Sequence, residues 1–333
     1  MAVTLAQLAK IETDPLRKMI MANILREVKV FEVLPFENVN SLKTVAVRYR
    51  TLPSVAWRKI NAGYTASEGD TEQVWESVYG FGGDINFDRV FEKVTNTIIP
   101  MKQLQTDMKL LSMALTWNNY LINGDHATDG DGIEGLNKRV SNMPSRQTVR
   151  FAGTGSSAPL DPTASVANGQ RFFTKLEEAH VRCNRGQVNA ILCNEGTKLG
   201  FGRVARYISA SGGTFLDVTK DSFDRDIPTY RGAPIIDAGY QKDQTTEVIT
   251  DTQTADDAGA DSTSLYFTSF NSEQGVIGIQ LSDMEVYDPL NGGEQESIPA
   301  KLLRIDWWNG LASFGSYGIV RAMNLEAPAD WTA

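Results

Sequence analysis

Between residues 43 and 79 the chain carries two strand-like runs with apolar positions and no core of their own to bury them. Val45, Val47 and Tyr49 share one face of residues 43–50, with Thr44, Arg48 and Arg50 on the other, the period-two pattern of a strand. Residues 72–79 (Glu-Gln-Val-Trp-Glu-Ser-Val-Tyr) are strand-like again, and residues 60–70 between the runs are rich in small and turn-forming residues. The pattern predicts a long two-stranded hairpin with a flexible tip. An isolated hairpin is marginal in water. Val45, Val47, Trp57, Val74, Trp75 and Val78 must therefore be covered from outside it. Either the hairpin lies on the chain's own core or it reaches onto a neighbouring subunit. Taken alone, the hairpin favours its own core.

The first forty residues are no better placed to start a compact domain. Leu5, Leu8 and Ile11, then Leu16, Met19, Ile20 and Ile24, recur at mostly helical spacing. Asp14-Pro15 interrupts them, with Asp14 as cap and Pro15 in the first turn of a second helix. Residues 28–39 (VKVFEVLPFENV) read as extended chain. The whole is an arm with sticky positions and no nearby core.

Residues 100–122 give the clearest helix, with Pro100 at its start and Gly124 as its stop. Leu104, Met108, Leu111, Leu115 and Ile122 form one stripe, and Lys102, Gln105, Lys109 and Ser112 lie away from it. Such a helix is roughly 35 Å long. A Gly- and Asp-rich loop (NGDHATDGDGIEGLNKRV) follows, and residues 152–168 form a Gly/Ser/Ala/Pro-rich linker. Residues 169–183 return to helix, with Phe172, Leu176, Ala179 and Cys183 as the stripe and Phe173 beside it. Residues 188–193 are a buried-strand candidate, 196–210 a helix and 233–237 a short strand. Residues 243–263 are polar, acidic and without period, which predicts an exposed loop. Strands are expected at 265–270 and 276–281, and an apolar stretch runs from 301 through Trp307, Trp308, Leu311, Phe314 and Ile319. Helices and strands mix without regular βαβ alternation, which predicts an α+β fold.

Composition narrows the function. A chain of 333 residues with 41% hydrophobic and 22% charged residues folds into a core, so wholesale disorder is excluded. A net charge of −9 argues against nucleic-acid binding through a generally basic surface. There is no run of 18 apolar residues, so no transmembrane helix is expected, and the first residues carry no secretory signal pattern. Cys183 and Cys193 are too few for a disulfide framework. The charge is uneven. Residues 1–60 carry ten bases and five acids, a balance of +5, whereas residues 240–297 carry one base and twelve acids, a balance of −11. The two regions either face different partners or are solvated loops of chance composition.

No motif nominates a reaction. Gly200-Phe201-Gly202-Arg203-Val204-Ala205 matches a dinucleotide fingerprint, but the preceding strand ends near Cys193 with Asn-Glu-Gly-Thr-Lys-Leu between. Small residues for close helix packing is the better reading. In the Asp125–Asp131 loop, counting Asp125 as position one of a calcium loop puts Leu136 where a bidentate Glu belongs, so it is not an EF-hand. His180 and Cys183 share a helix face, yet a buried thiol is the better reading of Cys183. No catalytic, cofactor-binding or metal-ligating residue is nominated, and no enzyme is expected.

At residues 123–138 a family resemblance becomes visible. A long helix ending in Asn-Gly-Asp, a Gly-rich loop and then Gly-Leu-Asn-Lys resembles the major capsid proteins of tailed bacteriophages, whose fold is called Hong Kong 97-type. Other segments follow in the family's order. Residues 1–42 resemble its N-arm and 43–86 its extended E-loop hairpin. Residues 87–165 resemble the first part of the P-domain, with 100–122 as its spine helix. Residues 166–280 resemble the A-domain, including VNAILCNEGTKLGFGRVARY and the strand after Tyr230-Arg231-Gly232. Residues 281–333 resemble the return to the P-domain, KLLRIDWWNGLASFGSYGIVRAM looking like its paired C-terminal strands.

The resemblance implies a structural protein that self-assembles into hexamers and pentamers of an icosahedral shell around double-stranded DNA, bound without sequence preference. It implies a scaffolding protein, a portal and decoration proteins as partners, no membrane, assembly in the host cytoplasm and a place in the virion. No internal scaffolding segment precedes the arm, which implies a separate scaffold or a processed chain. One branch of the family cross-links its subunits through a loop Lys, an Asn and an acid. Here Asp306 falls near the acid, but Pro299 falls where the Asn would be, and Lys59 reads as a plain surface lysine. No cross-link is therefore expected. An encapsulin-like compartment is the alternative on the same fold. A nucleotide-binding enzyme using Gly200 to Ala205 is the distant one.

Overall fold

The computed structural model describes residues 3–4, 28–88, 101–130, 132–152, 158–209, 217–220, 226–254, 261–272, 274–291, 293–295, 298–328 and 331. In chain order these begin with β1 (Val3–Thr4), β2 (Pro35–Asn38), β3 (Lys43–Thr51), β4 (Asp70–Ser77) and β5 (Tyr79–Asp88). Three helices follow, α1 (Met101–Asn123), α2 (His126–Asp129) and α3 (Leu136–Ser141). Next come β6 (Thr148–Arg150), α4 (Val166–Arg182), β7 (Ala190–Cys193), α5 (Glu195–Ser209), β8 (Asp217–Lys220), β9 (Asp226–Tyr230) and β10 (Ala233–Asp237). The remaining strands are β11 (Gln253–Thr254), β12 (Asp261–Thr268), β13 (Val276–Gln280), β14 (Glu285–Tyr287), β15 (Ala300–Ser313) and β16 (Ile319–Glu326). The helices expected over residues 5–27 lie outside the described residues, as do 255–260 of the acidic stretch.

The strands form three sheets. A six-stranded sheet runs β1-β2-β13-β15-β14, with β5 along β15; an eight-stranded sheet runs β6-β16-β12-β7-β10-β9-β8, with β11 on β12; β3 and β4 pair alone. Helices and strands are thus mixed as an α+β fold requires. β15 and β16 do not pair with each other, which corrects the expectation of paired C-terminal strands. β15 lies antiparallel to β5 from Ala300↔Asp88 to Asn309↔Tyr79, while β16 lies against β12 and β6. Six residues after leaving the six-stranded sheet at Ser313, the chain enters the eight-stranded sheet at Ile319. The C-terminal segment thereby ties the two sheets together.

Two main cores form, the first of them also taking in one face of the eight-stranded sheet through Ala190, Leu192, Ile236 and Tyr266. In the first, α1 packs on the six-stranded sheet around Phe31, Phe36, Trp117 and Trp307, with the Phe31 and Trp117 ring centroids 4.5 Å apart. Both indoles are satisfied, Trp117 Nε1 donating to Asn309 Oδ1 at 2.8 Å and Trp307 Nε1 to Gln280 Oε1 at 3.1 Å. Val28, Val30, Phe31, Leu34 and Phe36 are buried here. The base of the arm is therefore core, not a free segment, and residues 29–32 form a 3₁₀ turn where extended chain was expected.

The buried face of α1 is also rotated from the expected stripe. Leu110, Met113, Ala114, Trp117 and Leu121 point inward, together with Leu115 and Ile122, but Leu104 and Met108 are 40% and 57% exposed. Two apolar rows overlap on this helix. A buried indole N–H needs an acceptor, and only the row carrying Trp117 meets Asn309. On the same face Asn118 Nδ2 donates to Ala238 O at 2.5 Å, and one turn on Asn123 Nδ2 donates to Val248 O at 2.7 Å. Val248 and Ile249 are buried against this core and Ser262 and Thr263 are buried in β12, so among the described residues of 243–263 the exposed loop expected from composition is found at 243–246 but not there.

The second core lies between α4, α5 and the eight-stranded sheet. The predicted α4 stripe is found, with Phe172, Leu176, Ala179 and Cys183 all fully buried. Ser165 caps the helix, its Oγ accepting from Asn168 N at 3.1 Å. β7 is central and wholly buried, parallel to β10 and antiparallel to β12.

Candidate functional site: an assembly surface

The hairpin forms as predicted, with β3 and β4 paired from Lys43↔Ser77 to Thr51↔Asp70. It does not lie on the chain's own core, which corrects the reading the hairpin alone favoured. Leu52, Val55, Trp57, Ile60 and Tyr64 at its tip are all exposed, and so are Val45, Val47 and Trp75 along its strands. Only the root is held. Val78 is buried with Ile277, Ile279 and Ala312.

A buried ion pair bolts that root to the body. Glu76 of β4 and Arg139 of α3 have side chains only 8% and 7% exposed. Arg139 Nη1 and Nη2 donate to the two carboxylate oxygens at 2.5 and 2.9 Å. Arg139 Nη2 also donates to Leu311 O at 2.6 Å, and Ser313 N donates to Glu76 Oε1 at 3.1 Å. The bidentate pairing and the two backbone contacts satisfy both buried charges. Sequence reasoning missed this pair. Its members are 63 positions apart, and neither Glu76 nor Arg139 stands out among ordinary charged residues.

The segment 123–138 is what positions Arg139. Gly135 N donates to Gly124 O at 2.9 Å, so the two ends of the loop clasp each other. A Cβ on Gly124 would lie 2.3 Å from Ile133 O, and one on Gly135 2.6 Å from Ile122 O. Only glycine permits that approach. Asp125 caps α2 by accepting from Ala127 N at 3.0 Å and pairs with Lys138 Nζ at 3.0 Å. The Lys138 ammonium holds the Asp125 carboxyl below its ordinary range. Its oxygens are thus engaged in holding the loop, and among the described residues no three His, Cys, Asp or Glu side chains converge as metal ligands.

Gly200 to Ala205 are not at a helix N-terminus but inside α5, and a Cβ on Gly200 would lie 2.1 Å from the Trp331 ring. The glycine serves close packing, as the intervening residues suggested. Cys183 and Cys193 are buried, and desolvation pushes the Cys183 thiol up to about 12 and the Cys193 thiol higher still. Cys183 Sγ faces Phe267 O and Gly318 O rather than a base. Asp306 sits on β15 opposite Gly82 and Glu285, its carboxylate accepting from Trp308 Nε1 at 3.2 Å. Lys59 and Pro299 are both exposed.

Two charged clusters of opposite sign lie on the described surface. Arg50, Arg146, Arg182 and Arg185 line an open cleft of about 650 Å³ beside β3. On the eight-stranded half, Asn194 Nδ2 bridges Glu247 and Asp251, donating to Glu247 Oε2 at 3.1 Å. Burial, reinforced by Asp251, raises the Glu247 carboxyl above its ordinary range, and burial raises Asp237 likewise.

A long exposed hairpin rooted on a sheet-and-spine-helix body defines a class, the shell-forming proteins of Hong Kong 97-type fold. The holo-SrpI encapsulin complex of Synechococcus elongatus PCC 7942 is similar over 90% of this chain and 88% of that one, at a TM-score of 0.60 and 13% identity. The capsid of a native GTA particle is similar over 91% and 90%, at 0.56 and 11%. Mycobacterium phage Bobi is similar over 89% of each chain, also at 0.56 and 11%. No curated protein matches in sequence. Residues 19–159, which span the hairpin, α1 and the glycine clasp, match the family described as Major capsid protein GP7. That match and the fold together support a tailed-phage major capsid protein, a structural component of a capsid shell built from many copies. That family implies a virion location, and no described helix is long and apolar enough to cross a membrane.

Proposed function

We propose that this chain is the repeating unit of an icosahedral phage head that encloses double-stranded DNA, arranged in hexameric and pentameric rings. The observation that carries the reading is the hairpin, an apolar tip exposed on a rod whose root is fixed by a buried ion pair. A monomer rarely exposes such a surface unless another surface covers it, and a head-to-tail contact between unlike surfaces generates rings. In this reading residues 1–42 serve as N-arm, 43–86 as E-loop, 87–165 as the first part of the P-domain, 166–280 as the A-domain and 281–333 as the return, although β16 itself joins the sheet that holds β7 and β10. The basic first sixty residues face the interior or knit neighbours. A scaffolding protein, a portal and decoration proteins are the partners, assembly takes place in the host cytoplasm, and no catalytic step, cofactor or metal is required. Subunits stay covalently separate, so particles boiled in detergent run as one monomer band; a covalent ladder would contradict this.

Negative-stain microscopy and light scattering of the expressed protein test the proposal. Closed shells, tubes or capsomer rings support it, and a compact monomer at high concentration overturns it. The likeness to the encapsulin complex supports a second reading, a compartment that packages protein. Shell contents separate the two: nucleic acid favours the head, a co-purifying protein cargo favours the compartment.

A further inference from the structure

Beside the hairpin root lies an apolar cavity of about 280 Å³. Tyr79 and Phe81 at the start of β5, Trp117 and Tyr120 on α1, and Ile133 in the glycine clasp form its walls, with Asp129 among its lining residues. A cavity of roughly 150 Å³ accommodates a benzene ring, so this one has room for an indole. The hairpin tip presents one. Trp57 is fully exposed, and it is the largest apolar side chain of the tip. Tyr64, the tip's other ring, is already covered by the Arg58 guanidinium at 5.4 Å.

The chain's own Trp57 is held away from its own cavity. Tyr79 follows β4 directly at the root, where Lys43 pairs with Ser77, whereas Trp57 lies beyond the far end, where Thr51 pairs with Asp70. Eight or nine strand residues at about 3.3 Å each separate the two by roughly 30 Å. We infer that Trp57 of one copy docks in the root cavity of the next copy, with Lys59 beside it meeting Asp129 in the rim. Arg58 is engaged within its own tip, donating to Ala62 O at 3.0 Å, and leaves Lys59 as the cation beside Trp57 that is free to face the acid. Tip and root are different surfaces, so the contact is heterologous and propagates around a ring. A single aromatic anchor in an apolar pocket with a charged rim is the usual anatomy of an energetic hot spot. This rests on the shell reading above and specifies which residues make its contact.

The test uses thiol cross-linking of assembled particles. Both native cysteines are buried, so Ala56→Cys with Ala127→Cys, at exposed positions beside Trp57 and Asp129, introduces an accessible pair and leaves both contact residues in place. A short bis-maleimide is expected to give a ladder up to the ring size in the double variant and only monomer in either single variant. Trp57→Ala is expected to raise the concentration needed for assembly at least ten-fold while leaving subunit unfolding unchanged, with Trp57→Phe between it and the parent. Shells that form without a ladder, or a Trp57→Ala protein that assembles like the parent, overturn the docking and leave the shell reading standing. A parent chain that never oligomerises overturns both.

Discussion

Phe172 and Trp57 are both large aromatic residues, and the chain treats them in opposite ways. Phe172 has no exposed surface and stacks among Phe151, Phe173 and Phe201, whereas Trp57 stands clear of every core. The body buries its apolar surface within one chain. The hairpin shows its apolar surface to whatever lies beyond the chain and is fastened at its root, where Val78 is buried and Glu76 meets Arg139. Subunit stability and assembly strength therefore reside in different residues. A protein organised this way can fold before it associates, and its association can be altered without unfolding it.

The largest expected effect falls on the body. Phe172→Ala should cost about 3–5 kcal/mol of subunit stability through transfer and cavity terms, read by denaturant unfolding of dissociated subunits. A loss below 1 kcal/mol would mean that the second core collapses around the hole and is less rigid than its packing indicates. Next comes the root. Arg139→Met leaves the Glu76 carboxylate buried and uncompensated, an expected loss of about 3–5 kcal/mol. Glu76→Met combined with Arg139→Met should recover much of it, and hydrogen exchange of β4 should report loosening in the single variant only. If the single variant is silent, the hairpin is not held by the pair.

The tip sharpens the contrast. Val55→Ser and Ile60→Ser should stay within about 0.5 kcal/mol of the parent in subunit unfolding, while light scattering shows weaker assembly. Equal losses in both measurements would erase the distinction between the regions. The smallest expected effect is on pH. Burial, with help from the Arg231 guanidinium, lowers the His180 pKa. The unfolded chain then binds more protons than the folded one below its own value of about 6.5, so stability rises with pH across that window and falls on acidification. Asp237 and Glu247, raised by burial, contribute in the opposite sense in parent and variant alike, so the His180 contribution is read as a difference: on going from pH 7.5 to 5.0 the parent's unfolding midpoint should fall further than that of His180→Asn, and equal changes would contradict it. The Asp84–Arg304 pair cannot imitate it. Arg304 lowers the Asp84 carboxyl, whose contribution is lost only below the ordinary carboxylate range.

Much of this architecture is local and was legible in the residues. The alternation of β3 and β4, the length of α1, the α4 stripe, β7 and the glycine-bounded loop at 123–138 all follow from periodicity and turn chemistry, which act over a few neighbouring residues. The place of Gly200 inside a helix was legible too, from the residues separating it from the preceding strand. The choice among α1 faces was decided by tertiary structure, because two apolar rows competed and an acceptor for Trp117, 192 positions away, settled the matter. So was the parting of β15 and β16 into different sheets, since both carry apolar residues suited to either. The same holds for the Glu76–Arg139 bolt and the root cavity, which exist only where distant segments meet. Sequence periodicity determined which residues need burial. The tertiary structure decided where that burial occurs, and it left the hairpin tip unburied within the chain, because backbone pattern is set by neighbours and side-chain partnership by the whole fold.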